Sequence, residues 1–192
     1  MDKPRDRLRG KNAREGRAGH RGYSEQRGCV LCERFYLFIS RRWNEALGTA
    51  NAELPIDPND AALYSIRSSA ETSLGQYEQA KSDALQAIRL SPRDPFVGGW
   101  HLGLGDAELN LGHFDAAIEA YHESIDLGFR AFQPYVDLAA VYALEGKTKE
   151  ARTALAEARR LNPKLTVKWL RLVAPDLPPL FEGVRKAGLP EE

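Results

Sequence analysis

The side chains in this chain that could do chemistry are few, and their spacing does not support it. Cys29 and Cys32 form a C-x-x-C pair, the spacing of a redox couple or of half a metal site. A structural zinc site takes four ligands, and the sequence has no second pair. A thioredoxin-like motif needs a βαβ setting, which is absent here. The two thiols therefore read as helix-borne side chains. The histidines are His20, His101, His113 and His122, and no HExxH or related spacing joins them. His113 follows a turn glycine, and His122 falls on an outward position. His101 takes a place usually held by a large aromatic, so partial burial is expected. Gly98-Gly99 with Gly103 and Gly105 superficially suggests a phosphate loop. No strand precedes it and no Lys-Ser/Thr pair ends it. Asp106 and Glu108 share a helix with nothing visible to desolvate them, so they read as a solvated acidic face. No catalytic residue, cofactor or metal is assigned, and the chain is expected not to be an enzyme.

The elements that carry these residues repeat. Pro58 and Pro92 stand 34 residues apart, as do Gly112 and Gly146. A period of about 34 with small, large and turn residues at fixed places predicts an all-α chain: an α-solenoid of stacked antiparallel helix hairpins. In residues 61–94, Asp60 is an N-cap candidate. Tyr64 is the large residue, Ser68 the small one, and Gly75 the turn. Tyr77, Ala80, Ala84, Ala87, Ile88 and Leu90 follow on the second helix, and Pro92 stops it. In residues 98–131 the same places fall to Leu104, Gly105, Gly112, Phe114, Ala117, Tyr121, Ile125 and Leu127, with Phe129 where proline would stand. The surplus residues around 93–98 read as a loop or an early helix start. In residues 132–165 they fall to Tyr135, Leu138, Ala139, Tyr142, Gly146, Ala151, Leu155, Ala158, Leu161 and Pro163, with Thr148 in place of the aromatic. Upstream, Trp43, Ala46, Ala50, Leu54 and Ile56 match a second helix whose partner would be about 29–41. The expected division is a basic arm at 1–27, a degenerate repeat at 28–60, three repeats at 61–165, and capping helices with a tail at 166–192. Within that last part, Thr166 caps a short helix with Val167, Leu170 and Val173 inward. Pro175, Pro178 and Pro179 break it, and a final helix at about 180–186 ends at Gly188.

These residues resemble the tetratricopeptide repeat family. The string Phe181 to Glu191, with Leu161 to Val167 and Leu90 to Pro95, is similar to the C-terminal repeat region of bacterial proteins carrying a class III adenylate/guanylate cyclase domain or a winged-helix domain. No cyclase domain precedes the repeats here. The resemblance implies a protein-interaction scaffold that takes protein or peptide partners on the concave face lined by the first helix of each hairpin. The alternative it implies is a detached regulatory region of a cyclase-type signalling protein, itself without activity. By register the concave face holds Ser65, Ile66, Ser69 and Ser73, then Leu102, Asp106, Leu109 and Asn110, then Gln133, Val136, Asp137 and Ala140. The chaperone-binding subfamily clamps a C-terminal carboxylate with Lys and Asn at such places. Ser, Asp and apolar residues stand here instead. The expected ligand is therefore an apolar or basic peptide, with Asp106, Asn110 and Asp137 as its polar contacts.

Composition sets the remaining bounds. Formal net charge is zero. Residues 1–27 hold nine Lys/Arg against four Asp/Glu and almost no apolar residues, so they cannot repay the entropy of ordering and read as a disordered arm. That arm is a leader without a task, a misplaced start, or a tether to nucleic acid or an acidic surface. Nucleic acid is the weakest partner reading, because residues 28–192 keep 18 basic and 23 acidic side chains. No apolar run is long enough to span a membrane, and residues 29–40, the most apolar window, lack a following cleavage site. Two cysteines suit a reducing compartment, and a cytoplasmic location is expected.

Overall fold

The computed structural model describes residues 41–192, and residues 43–192 form one compact unit. His20, Cys29, Cys32, the basic arm and the first helix of the degenerate repeat lie outside the described residues. The described part is helical, without a strand. Its helices are α1 (Trp43–Glu53), α2 (Ala61–Ser73), α3 (Tyr77–Leu90), α4 (Val97–Asn110), α5 (Phe114–Asp126), α6 (Gln133–Leu144), α7 (Thr148–Leu161), α8 (Val167–Val173) and α9 (Pro178–Ala187). Helices α2–α3, α4–α5 and α6–α7 pack as hairpins, and each hairpin stacks on the next.

Glycine explains why the helices turn where they do. Gly75, Gly112, Gly128, Gly146 and Gly188 all have φ between 77° and 95°. At each, the next N–H reaches back five residues, as in Gln76 to the Glu71 carbonyl at 2.8 Å and Leu189 to the Val184 carbonyl at 2.9 Å. This doubly bonded ending needs a left-handed residue, which only glycine adopts without steric cost. Gly128 is the instructive case. The sequence pattern looks for a proline at 129, but α5 ends by the same glycine device as the inner turns, and Phe129 then lies over the start of α4. A Cβ on Gly98 would sit 3.0 Å from the Phe129 Cβ. The Gly98-Gly99 pair is thus a packing requirement of that aromatic, and α4 opens at Val97.

Side-chain caps start two of the helices. The Asp60 carboxylate accepts from the Ala62 and Leu63 amides at 3.0 and 3.2 Å. Thr166 Oγ1 accepts from the Trp169 amide at 3.1 Å. Asp60→Ala is expected to cost about 1 kcal/mol, lowering Tm by a few degrees in a thermal melt. An unchanged Tm would show the cap to be redundant.

Small residues fill the hairpin seams. Ala80, Ala117, Ala151 and Ala158 are fully buried. The Ser68 hydroxyl donates to the Ala80 carbonyl at 2.8 Å. Arg67 grips Asp83 through Nε and through Nη2 at 2.8 Å, and its Nη1 donates to Asn51, so one guanidinium joins α1, α2 and α3.

Three expectations need correction. Val173 points outward, as do Leu127 and Leu161, because each falls at a helix end past the last packed turn. Pro178 and Pro179 open α9 rather than break a helix, since the first turn has no use for their missing N–H groups. Glu108 is not on a solvated face. It is buried, with Lys81 Nζ at 2.9 Å and His113 Nδ1 at 2.8 Å.

Candidate functional site

The row expected to line the concave face runs along α2, α4 and α6. Ser69, Asp106 and Ala140 hold equivalent places in it, one turn apart from Ser73, Asn110 and Leu144. On α2 the row is half-exposed at Ser65, Ile66, Ser69 and Ser73. On α6 it is closed: Val136 and Ala140 are 1% and 0% exposed. What closes it is α9. This helix packs on α6 as intimately as the two helices of a hairpin pack on each other, and it also reaches α4. Gly183 makes the approach possible. A Cβ there would lie 2.4 Å from the Ala140 carbonyl oxygen and 2.6 Å from its Cα. Leu180, Phe181, Val184 and Ala187 complete the buried face of α9. At about 1.5–3 kcal/mol for each large apolar side chain removed from water, the face accounts for several kcal/mol of docking.

The expected site residues separate into two groups. Ser69, Ser73, Leu102 and Asn110 are half-buried, and Gln133 is exposed. Ser69 Oγ donates to the Ser65 carbonyl at 3.0 Å, and Ser73 Oγ to the Ser69 carbonyl at 2.9 Å. Asn110 Nδ2 donates to the Asp106 carbonyl at 2.8 Å. Their hydroxyl protons committed, Ser69 and Ser73 meet a ligand as acceptors, which favours a donor-rich partner. The half-buried Asp106 and buried Asp137 form the second group, and for Asp137 the expectation is corrected. Asp137 is 5% exposed, so it is no contact for a passing peptide. Asp106 Oδ1 accepts from the Tyr121 hydroxyl at 3.0 Å, and Tyr121 is fully buried. The Tyr121 ring lies against Gly105, where a Cβ would come within 2.4 Å of it. Sequence periodicity puts both aspartates on the row but cannot show their surroundings.

Burial controls their protonation. Removal from water pushes the Asp106 carboxyl up to about 7, opposed by the Tyr121 hydrogen bond. The same desolvation, with the charge of Asp106 added, drives Asp137 well above the carboxylate range. The Tyr121 phenol is raised as well, first by burial and then by Asp106. In the α2–α3 seam, burial and then Asp83 raise Glu71 to about 7. The linkage has one sign. A carboxyl with a raised folded pKa binds more protons folded than unfolded. Its penalty is absent below the unfolded value, grows as pH rises from there, and is complete above about 7. The chain is therefore expected to lose stability between pH 5 and pH 8. Asp106→Asn should flatten part of that loss, on the order of 2 kcal/mol. Urea melts at both pH values measure it, and an identical slope in wild type and variant would contradict the burial argument.

Of the described histidines, His101 is half-buried, and burial lowers its pKa, favouring the neutral ring. His122 lies on the surface with Nε2 3.0 Å from the Tyr142 hydroxyl. Among the described residues no group of three or more His, Cys, Asp or Glu could hold a metal ion. Among them, too, no helix is long and apolar enough to cross a membrane.

Comparison with known proteins places this geometry. DnaJ homolog subfamily C member 7 from Mus musculus is 31% identical over 96 residues, 50% of this chain and 19% of that protein. The Hsp70-Hsp90 organizing protein from Triticum aestivum is 33% identical over 93 residues, 47% of this chain and 15% of that protein. The chain thus spans between 15% and 28% of the length of the curated relatives it matches. Among solved structures, TTC0263, a thermophilic TPR protein of Thermus thermophilus, superposes with a TM-score of 0.60 at 24% identity, covering 72% of this chain and 75% of its own. YrrB, described as a TPR protein with an unusual peptide-binding site, gives 0.54 at 19% identity, covering 68% and 66%. These two share the fold. The tetratricopeptide repeat family model matches residues 67–134 and again 102–166, more than half of the chain. The chain belongs to the tetratricopeptide repeat family.

Proposed function

We propose that the chain is a protein-interaction scaffold that receives a peptide or protein segment on its concave row and has no chemistry of its own. The observation that carries this is the half-exposed stretch along α2 and α4. There Ser69, Ser73 and Asn110 stand beside Ile66 and Leu102, presenting acceptors within an apolar strip. That surface suits an apolar segment with basic or amide donors. A cytoplasmic location belongs to the same proposal. Residues 181–191, expected by resemblance to mark a cyclase-type regulatory region, have a packing role here. Gly183 lets α9 touch Ala140, Gly188 ends α9, and Leu189 is buried behind it.

The test is affinity capture with the full chain as bait. Ser69→Arg puts a bulky cation on the open part of the row without entering the core, because arginine can carry its head group to water. Recovery of bound partners is expected to fall at least tenfold, with an unchanged far-UV spectrum. Equal recovery would reject the row as the binding face. Lysine at Asp106 or Asp137 is the wrong probe, since it would bury a charge and unfold the hairpin.

A further inference from the structure

The geometry points to α9 as an intramolecular ligand of the concave face, held in the groove over α6 and α4 until an amphipathic helix of the same pattern displaces it. Three observations carry this. First, α9 packs mainly on α6, touches α7 and also reaches α4, so it meets two different hairpins, whereas a helix that merely prolongs the stack meets only the last one. Second, its contact is built as an interface. Leu180, Phe181, Val184 and Ala187 face inward around Gly183, which lies directly on the Ala140 backbone, and Glu182, Arg185 and Lys186 face water. That is the helix-in-groove mode, with anchors three and four residues apart. Third, the segment is a closed clip. The Val167 and Lys168 amides of α8 donate to the Pro190 and Glu191 carbonyls at 2.8 and 3.0 Å, so the tail beyond α9 is bonded back to α8. A ligand tethered in this way faces its site at millimolar effective concentration, so only a better-fitting helix replaces it.

The occupant is thereby specified. It is a partner helix with large apolar residues at the places of Leu180, Phe181 and Val184, glycine at the place of Gly183, and a basic last turn. This inference rests on the concave-face reading above and adds its regulation: the α2 end of the row stays open, and the α6 end is gated by the chain's own helix.

The probe is a fluorescein-labelled peptide of residues 176–192, titrated into the full chain and followed by anisotropy. Wild type is expected to bind it weakly. The full chain carrying Gly183→Leu, whose own α9 no longer fits, should bind the wild-type peptide at least tenfold more tightly. A peptide that itself carries Gly183→Leu should not bind either chain. Hydrogen exchange supplies the second measurement. In wild type the α9 amides should exchange through an opening that leaves α2–α7 protected. Equal peptide affinity in wild type and variant overturns the proposal. So does loss of α2–α7 protection in the variant, which would make α9 a structural part of the stack. Partner capture that falls with Ser69→Arg yet is indifferent to Gly183→Leu rejects the gate and leaves the groove standing.

Discussion

Gly183→Leu is expected to abolish the docking of α9, and Gly183→Ala to weaken it. Two effects oppose each other at this position. Alanine is favoured over glycine inside a helix by about 1 kcal/mol, so on local grounds either replacement should stabilise α9. The neighbours decide otherwise. The new Cβ lands 2.4 Å from the Ala140 carbonyl oxygen, and the Cα and carbonyl carbon of Ala140 are nearly as close. All three are backbone atoms inside α6, so no side-chain rotation relieves the contact and the helices must separate. Overpacking of this kind costs about 1–3 kcal/mol for small increments. Alanine should therefore be a net loss of about 1 kcal/mol. Leucine should forfeit most of the several kcal/mol held by the apolar face of α9. In a melt the expected order is wild type above Ala above Leu. An alanine variant that melts higher than wild type would show helix propensity prevailing and the contact to be looser than drawn.

What the sequence discloses and what it conceals follow from the range of the forces involved. The turns at Gly75, Gly112 and Gly146 are readable because a left-handed helix ending is a local requirement, met within six residues. The seams at Ala80, Ala117 and Ala151 are readable because the repeat imposes the same small contact each time. Gly128 escapes because the pattern looks for a proline one residue later, although the local device is the same. Register gives the row expected on the concave face, but not its state. Ser69, Asp106 and Ala140 are equivalent in the repeat, but one is half-exposed and another sealed. The difference comes from α9, a non-repeating segment some forty residues beyond Ala140. No periodicity connects the two. The one local hint was a glycine amid the apolar face of the last helix, which signals a close approach without naming the surface approached.

The second large effect is expected at Gly105. Gly105→Phe should unfold the α4–α5 hairpin, and Gly105→Ala should already be costly, for a reason that reaches the groove. A Cβ at 105 would meet the Tyr121 ring at 2.4 Å. The ring is fully buried and its hydroxyl is spent on Asp106 at 3.0 Å, so it has nowhere to swing without giving up that bond. Two penalties therefore add: overpacking of about 1–3 kcal/mol, and a buried carboxyl deprived of its donor at about 1–3 kcal/mol. The alanine gain in helix propensity, about 1 kcal/mol, offsets only part of this. The net expectation for Gly105→Ala is a loss on the order of 2 kcal/mol, and for phenylalanine no cooperative melt at all. A double-mutant cycle separates the causes. Tyr121→Leu removes the ring and the hydroxyl together, so Gly105→Ala placed on that background should cost little or even stabilise. A coupling energy of about 1–3 kcal/mol is expected. Additive losses in the two single variants would mean that Gly105 is there for a reason other than Tyr121, and the tie between the hairpin seam and Asp106 would be broken.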